Sequence, residues 1–126
     1  EEKSVQVERE VARVVRDFAQ EAGVKVVMRP VLGYDPMYTP PNHRLVQVVR
    51  RQARKVLGRD APPRGSQGST DMAAVSGLGV PVAVIGAMRA DSSIHGIDEH
   101  VRINDLVSVT KILAHSYLEL LPVHSH

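Results

Sequence analysis

Only two stretches of this 126-residue chain have the composition of β-strands, and they lie far apart. Val24-Lys25-Val26-Val27-Met28 is enriched in β-branched residues and is bounded by Pro30 and Gly33. Val80-Pro81-Val82-Ala83-Val84-Ile85 is almost wholly apolar, the pattern of a strand covered on both faces. Amphipathic helical patterns surround both, so the alternation argues an α/β fold. Two strands make no self-sufficient sheet, however. Their unpaired apolar edges are association sites, and the chain is expected to self-associate or to swap elements to cover them.

Composition narrows the class. The apolar fraction is 43%, with twenty-one valines and only four aromatic residues, which excludes a disordered tail or a collagen-like chain. The length suits one compact domain or pieces of two. No apolar run is long enough to span a membrane. The opening Glu1-Glu2-Lys3 is not that of a signal peptide. With no cysteine, any metal must rest on His, Asp and Glu, and a cytoplasmic location is expected. Sixteen Lys and Arg against fourteen Asp and Glu leave a formal charge of +2, too weak a field to argue a polyanionic partner. His124 and His126 stand at the chain's end and receive no role.

Three helices are expected, with a short helical run between the last two. Val11, Val14, Val15, Phe18 and Ala22 recur at helical spacing, with Ser4 as N-cap and Gly23 just past the end. The stretch from Tyr34 to Pro41 holds three prolines in six residues and reads as a crossing between two structural units. A second helix begins near Asn42 or His43, buries Leu45, Val48, Val49, Ala53 and Val56, and closes at Gly58. Its outer face carries Arg44, Arg50, Arg51, Arg54 and Lys55. Without interleaved aromatic residues this reads as a solvated face, and nucleic-acid binding is not expected. Ser69-Thr70-Asp71 opens the short run, ending at Gly77 or Gly79. Asn104 caps the last helix, whose apolar positions include Leu106, Val109, Ile112, Leu113, Tyr117 and Leu120.

Chemistry is concentrated in two loops. Gly68-Ser69-Thr70-Asp71 sits at a helix start, where free backbone N–H groups and two hydroxyls suit a carboxylate. Plain N-capping by the same residues explains them as well. The loop after the second apolar run contains Ser92-Ser93-Ile94-His95-Gly96-Ile97-Asp98-Glu99-His100, and α/β folds place ligands beyond the carboxyl ends of strands. His95 and Glu99 could supply a metal ligand and a supporting carboxylate. A lone loop histidine is as readily a surface residue. His43, His100 and His115 draw no role, and no Gly-x-Ser-x-Gly turn supports nucleophilic catalysis.

Taken in order, four of these pieces resemble the C-terminal part of the dizinc metallopeptidase and amidohydrolase family of acetylornithine deacetylase, succinyl-diaminopimelate desuccinylase, aminoacylase and glutamate carboxypeptidase. Thr39-Pro40-Pro41-Asn42-His43-Arg44-Leu45-Val46 resembles the family's entry into a helix, and Gly68-Ser69-Thr70-Asp71 its small-residue loop ending in aspartate. Gly79-Val80-Pro81-Val82 through Gly86 is similar to its Gly-Ile-Pro strand. His95-Gly96-Ile97-Asp98-Glu99-His100-Val101 resembles its His-x-x-Asp-Glu segment.

The resemblance implies that residues 34–126 are the C-terminal part of a phosphorylase/hydrolase-like catalytic α/β domain. Residues 1–33 would be the last helix and strand of an α+β lid, or dimerisation, domain. It implies His95 as a ligand of one of two zinc ions, with cobalt as the alternative metal. Gly68, Ser69 and Thr70 would lie against substrate, and Asp71 and Glu99 would brace the site. The reaction implied is hydrolysis of an amide bond in an N-acyl amino acid or small peptide by metal-activated water, in a homo-oligomer. The remaining ligands and the general base would lie upstream of residue 1, so no catalytic base is expected here. The chain alone would be an inactive fragment. Ala73 stands where members acting on acylated diamino substrates carry arginine, which leans toward the carboxypeptidase-like branch. The other classes of function are a non-catalytic module that binds a partner through its sheet edges and, less favoured, a nucleic-acid binder using the arginine-bearing helix.

Overall fold

The computed structural model describes residues 3–29, 33–66 and 68–121. Four helices follow in order: α1 (Ser4–Glu21), α2 (Arg44–Leu57), α3 (Met72–Gly77) and α4 (Ile103–Leu120). The chain divides into two compact units. The first comprises Glu1–Tyr38 with Gly68–Val80 and so holds α1 and α3. The second comprises Thr39–Gln67 with Pro81–His126 and holds α2 and α4.

In the first unit, α1 ends as its sequence dictates. Gly23 takes φ +65°. Its N–H reaches the Gln20 carbonyl (3.2 Å) and the Val24 N–H reaches that of Ala19 (2.9 Å). This pair of bonds forms a Schellman motif, open to glycine because the left-handed backbone carries no Cβ there. The start differs from expectation. Lys3 occupies the cap, its N–H donating to Gln6 Oε1 (3.1 Å), and Ser4 lies one residue inside the helix. The reason is a carboxylate from far along the chain. Asp35 Oδ1 accepts the Ser4 N–H (3.0 Å) and hydroxyl (3.1 Å), while Oδ2 pairs with Lys3 Nζ (3.1 Å). Asp35 thus neutralises the positive helix end. The Ser4 N–H and the Lys3 ammonium hold its carboxyl below the usual carboxylate range.

The core of the second unit is the packing of α2 against α4. His43 Nδ1 caps α2 by accepting the Leu45 N–H (3.2 Å), and Gly58 closes it at φ +67°. Val48 and Ala53 are buried as expected, with Leu45, Val49 and Val56 half-buried. Val46 and Gln52 are buried too, so the contact face is wider than the apolar stripe alone. On α4, Ile112 is only 1% exposed. Gln52 and Arg51 both donate to the Glu119 carboxylate, which joins the two helices. The sequence expectation for α4 divides between two faces. Val109, Ile112 and Leu120 are shielded, whereas Leu106, Leu113 and Tyr117 are exposed. Asn104 is not its cap. Arg102 holds that position with extended backbone, and the Asn104 carbonyl accepts the Ser108 hydroxyl (2.7 Å).

Among the described residues there is no β-strand, so neither strand expectation is met by this structure and its regular elements are helices. Val24–Met28 is exposed along its whole length. Val80 and Val84 are exposed as well, with Val82, Ala83 and Ile85 half-buried. The physical cause is the one that made two strands insufficient: a strand exists only against a neighbour that completes its ladder. Val82 is the exception that shows the need. Its N–H donates to Thr39 Oγ1 (2.9 Å) and its carbonyl accepts the same hydroxyl (2.7 Å), a side chain standing in for one rung. Pro30, which was to stop the first strand, lies outside the described residues, as do His124 and His126. The described proline-rich crossing has no regular structure, as expected. Among the described residues, no helix is long and apolar enough to cross a membrane.

Two outcomes follow. Ile112→Ala removes the most buried side chain of the α2–α4 contact and is expected to cost about 2–5 kcal/mol in urea unfolding. Leu106→Ala, on the exposed face, should stay within about 0.5 kcal/mol. In acid, Asp35, Asp60, Asp105 and Glu119 act together, since the Ser4 N–H and Lys3 lower the pKa of Asp35 and arginine partners lower those of the other three. A carboxyl with a depressed folded-state pKa contributes fully above its unfolded value. That contribution is lost as pH falls through the folded value. Helical circular dichroism should therefore hold down to about pH 4 and decline below it.

Candidate metal and substrate loops

Gly68–Asp71 belongs to the first unit and leads into α3, a helix of only six residues. The Thr70 carbonyl accepts the Ala73 N–H (3.0 Å), and the Asp71 carbonyl accepts that of Ala74 (3.2 Å). Of the candidate capping side chains, Thr70 meets the helix start, its Oγ1 accepting the Met72 N–H at 3.4 Å. Asp71 holds the cap position, but its carboxylate makes no capping bond. Gly68, Ser69 and Asp71 are exposed and Thr70 is half-buried. The Ser69 hydroxyl is hydrogen-bonded to that of Tyr34. No local pattern could have identified Tyr34, because its partner is thirty-five residues away.

The loop bearing His95 belongs to the second unit and is closed on itself by hydrogen bonds. The Arg89 N–H donates to Ser92 Oγ (2.9 Å), and the Ser92 N–H donates back to the Arg89 carbonyl (3.1 Å). The His100 N–H closes the ring on the Ser92 carbonyl (3.1 Å). Inside it, the Gly96 N–H reaches the Ser93 carbonyl (2.8 Å). A Cβ at Gly96 would meet that oxygen at 3.1 Å, tight enough to explain the glycine. Two ion pairs join the ends of the loop, Arg89 with Asp105 and Arg102 with Asp91. The Arg89 guanidinium holds the Asp105 carboxyl below the usual range and is itself raised in return.

Three non-glycine residues of this loop have left-handed backbone: Ser93 (φ +51°), His95 (φ +59°) and Asp98 (φ +62°). Such residues are uncommon, and they gather at functional sites where surrounding bonds over-determine them. His95 is exposed. Glu99 Oε2 accepts the His95 backbone N–H at 3.4 Å, so the carboxylate braces the main chain. The neighbouring His100 directs Nδ1 to the Asp98 carbonyl (2.9 Å), which turns that ring to a structural contact. Gly68–Asp71 and His95–Glu99 lie in different units, and each loop stands as its own structure.

These donors do not amount to a metal site. Among the described residues, no three of His, Cys, Asp or Glu are grouped so as to hold an ion. One imidazole with one carboxylate falls short of the roughly three protein ligands that a catalytic zinc requires. The described residues fit a contribution to such a site and not the site itself.

The left-handed backbone at position 95 gives a test independent of any metal. His95→Ala places a Cβ at φ +59° without the local bonding that histidine can offer, whereas His95→Gly removes the Cβ altogether. The glycine variant should be more stable than the alanine variant by about 1 kcal/mol in urea unfolding.

Comparison with known proteins supplies the context these loops lack. The model of peptidase family M20/M25/M40 matches residues 1–119. A succinyl-diaminopimelate desuccinylase of Xanthomonas campestris pv. campestris is 41% identical over 76 residues, covering 57% of this chain and 18% of its own length. A desuccinylase of the same name from Stutzerimonas stutzeri is 34% identical over 86 residues, covering 68% of this chain and 22% of its own. An uncharacterised metallohydrolase of Methanocaldococcus jannaschii is 25% identical over 103 residues, covering 82% of this chain and 25% of its own. The chain thus spans a quarter or less of the length of these relatives. No solved structure matches it. With the family model matched along nearly its whole length, and the four motifs in the family's order, the chain belongs to peptidase family M20/M25/M40.

Proposed function

We propose that the chain acts as part of a longer metal-dependent hydrolase that cleaves an amide bond in an N-acyl amino acid or small peptide. In this reading His95 is one metal ligand, and Gly68, Ser69 and Thr70 lie against the substrate. Asp71 and Glu99 brace the two loops. Zinc is the metal, with cobalt as the alternative. The observation that carries the proposal is the over-determined loop that presents an exposed His95 on left-handed backbone, in a chain matched to this peptidase family along residues 1–119. The names of the relatives support the same chemistry, two being desuccinylases and one a metallohydrolase. An N-succinylated diamino acid is therefore the first substrate to try, ahead of the peptide that Ala73 suggested.

The α/β architecture belongs to the same proposal. Val24–Met28 and Val80–Ile85 become strands when the sheets of the whole enzyme supply their ladders, the first in a lid (1–33) and the second in the catalytic domain (34–126). The exposed Val11, Val14 and Phe18 of α1, with Phe18 at 70%, favour a further surface packing there, from the same enzyme or a second copy in a homo-oligomer. We place the enzyme in the cytoplasm, with a small molecule and not a nucleic acid as partner. On the basic face of α2, Arg50 is paired with Asp60 and Arg51 with Glu119, which removes two of its five charges.

The chain by itself is expected to hydrolyse nothing and to take up no stoichiometric zinc. In the longer polypeptide that carries it, His95→Ala should lower zinc content by about one ion per chain and abolish hydrolysis of N-succinyl-diaminopimelate and N-acetyl amino acids. Unchanged zinc and activity in that variant would remove His95 from the site. Hydrolysis by the chain alone would refute the claim that its chemistry depends on residues elsewhere.

A further inference from the structure

We infer that Ser92 is the positioning residue of the His95 loop, fixing the left-handed backbone from which the imidazole is presented; the inference rests on the reading of His95 as a metal ligand. Ser92 is 3% exposed, the one buried residue in a loop whose other described members from Ser93 to His100 are all exposed. The polar groups of the buried Ser92 make three separate bonds, whereas the hydroxyl of the buried Ser116 on α4 makes none. Oγ accepts the Arg89 N–H, the Ser92 N–H donates to the Arg89 carbonyl, and the Ser92 carbonyl accepts the His100 N–H. The backbone bond from the His100 N–H to the Ser92 carbonyl spans His95 and closes the seven residues from Ser93 to Glu99, while the other two bonds fix Ser92, at the start of that span, to Arg89.

That span contains all three left-handed non-glycine residues of the described chain. Left-handed backbone at a histidine persists only while its surroundings exclude the ordinary alternatives. The Glu99 contact to the His95 N–H is long, at 3.4 Å, and the Gly96 bond closes a turn only within the loop. Neither is anchored to a buried group. The Arg89–Asp105 and Arg102–Asp91 pairs join the ends of the loop through exposed guanidinium groups. Exposed pairs contribute little, so they assist the closure without setting it. Ser92 is where the loop meets the interior.

The role separates from general stability because Ser92 touches neither α2 nor the Gln52–Glu119 contact in any bond that the structure shows. Ser92→Ala deletes Oγ and leaves the Arg89 N–H without its acceptor, while Ser92→Thr keeps an acceptor at that place. Amide exchange in the chain gives the first readout. Ser92→Ala should speed exchange at Arg89, Gly96 and His100 about tenfold, with the amide of Ile112 unchanged. Ser92→Thr should restore the slow rates. In the longer polypeptide, Ser92→Ala should weaken zinc binding at the His95-dependent site about tenfold and lower kcat with little change in KM, and threonine should again rescue. His95→Ala measured alongside separates the failures. Zinc lost in His95→Ala but unchanged in Ser92→Ala, or loop exchange unchanged in Ser92→Ala, overturns the role of Ser92 alone. Faster exchange at Ile112 as much as in the loop makes Ser92 a core residue and also overturns it. Zinc unchanged in His95→Ala overturns both the ligand and its positioning residue.

Discussion

The contact of α2 with α4 is the interaction on which the second unit depends, and it is only partly hydrophobic. Val46, Val48, Ala53 and Ile112 form its apolar centre. Beside them the buried Gln52 amide and the Arg51 guanidinium both donate to Glu119. A glutamine side chain can be buried only if its amide is hydrogen-bonded, so Glu119 is what permits Gln52 at this seam. The arrangement also limits how the helices can slide, because a shift along either axis would separate the amide and guanidinium from their shared carboxylate. The register of α4 follows, and with it the position of Asp105 in its first turn. Asp105 then receives Arg89 from the near end of the His95 loop. The Arg89–Asp105 pair thereby links the near end of the loop to α4.

What the chain leaves uncovered is as informative as what it buries. Phe18 is 70% exposed and Tyr117 66%, and each belongs to an apolar stripe of its helix. On α1 the stripe is Val7, Val11, Val14 and Phe18, and on α4 it is Ile103, Leu106, Leu113 and Tyr117. Valine, leucine and aromatic side chains at helical spacing do not persist by chance on solvated faces. The absence of paired strands among the described residues has the same cause: Val24–Met28 and Val80–Ile85 carry β-branched side chains but meet no second backbone. Under the proposed reading, the rest of a longer enzyme supplies the surfaces that both features require.

The sequence was legible where structure is decided locally. Gly23 and Gly58 end their helices with left-handed backbone, and the prolines from Pro36 to Pro41 exclude regular structure, because these outcomes need only φ, a missing Cβ or a missing N–H. The family was legible in four short motifs because their order and spacing are read without any fold. Legibility failed where a partner from elsewhere decides. Ser4 looks like a cap, but Asp35 satisfies both its N–H and its hydroxyl, and Lys3 takes the cap position. Gln52 breaks the apolar pattern and is buried all the same, since its acceptor lies on the other helix. Ser92 looked like one of two adjacent serines, and nothing in the residues around it marks it as the buried one.

The same division bears on how the candidate ligand is presented. His95 is exposed, and the restraint on it acts through the backbone: the Glu99 contact on its N–H, and closure of the loop through Ser92. Left-handed φ angles at Ser93, His95 and Asp98 are the conformational cost of this arrangement. A loop selected for stability alone would place glycine there, as the chain does at Gly23, Gly58 and Gly79, where the left-handed conformation carries no side chain. His95 carries a side chain at φ +59°, where Gly23, Gly58 and Gly79 carry none, and this is consistent with the proposed use of its ring.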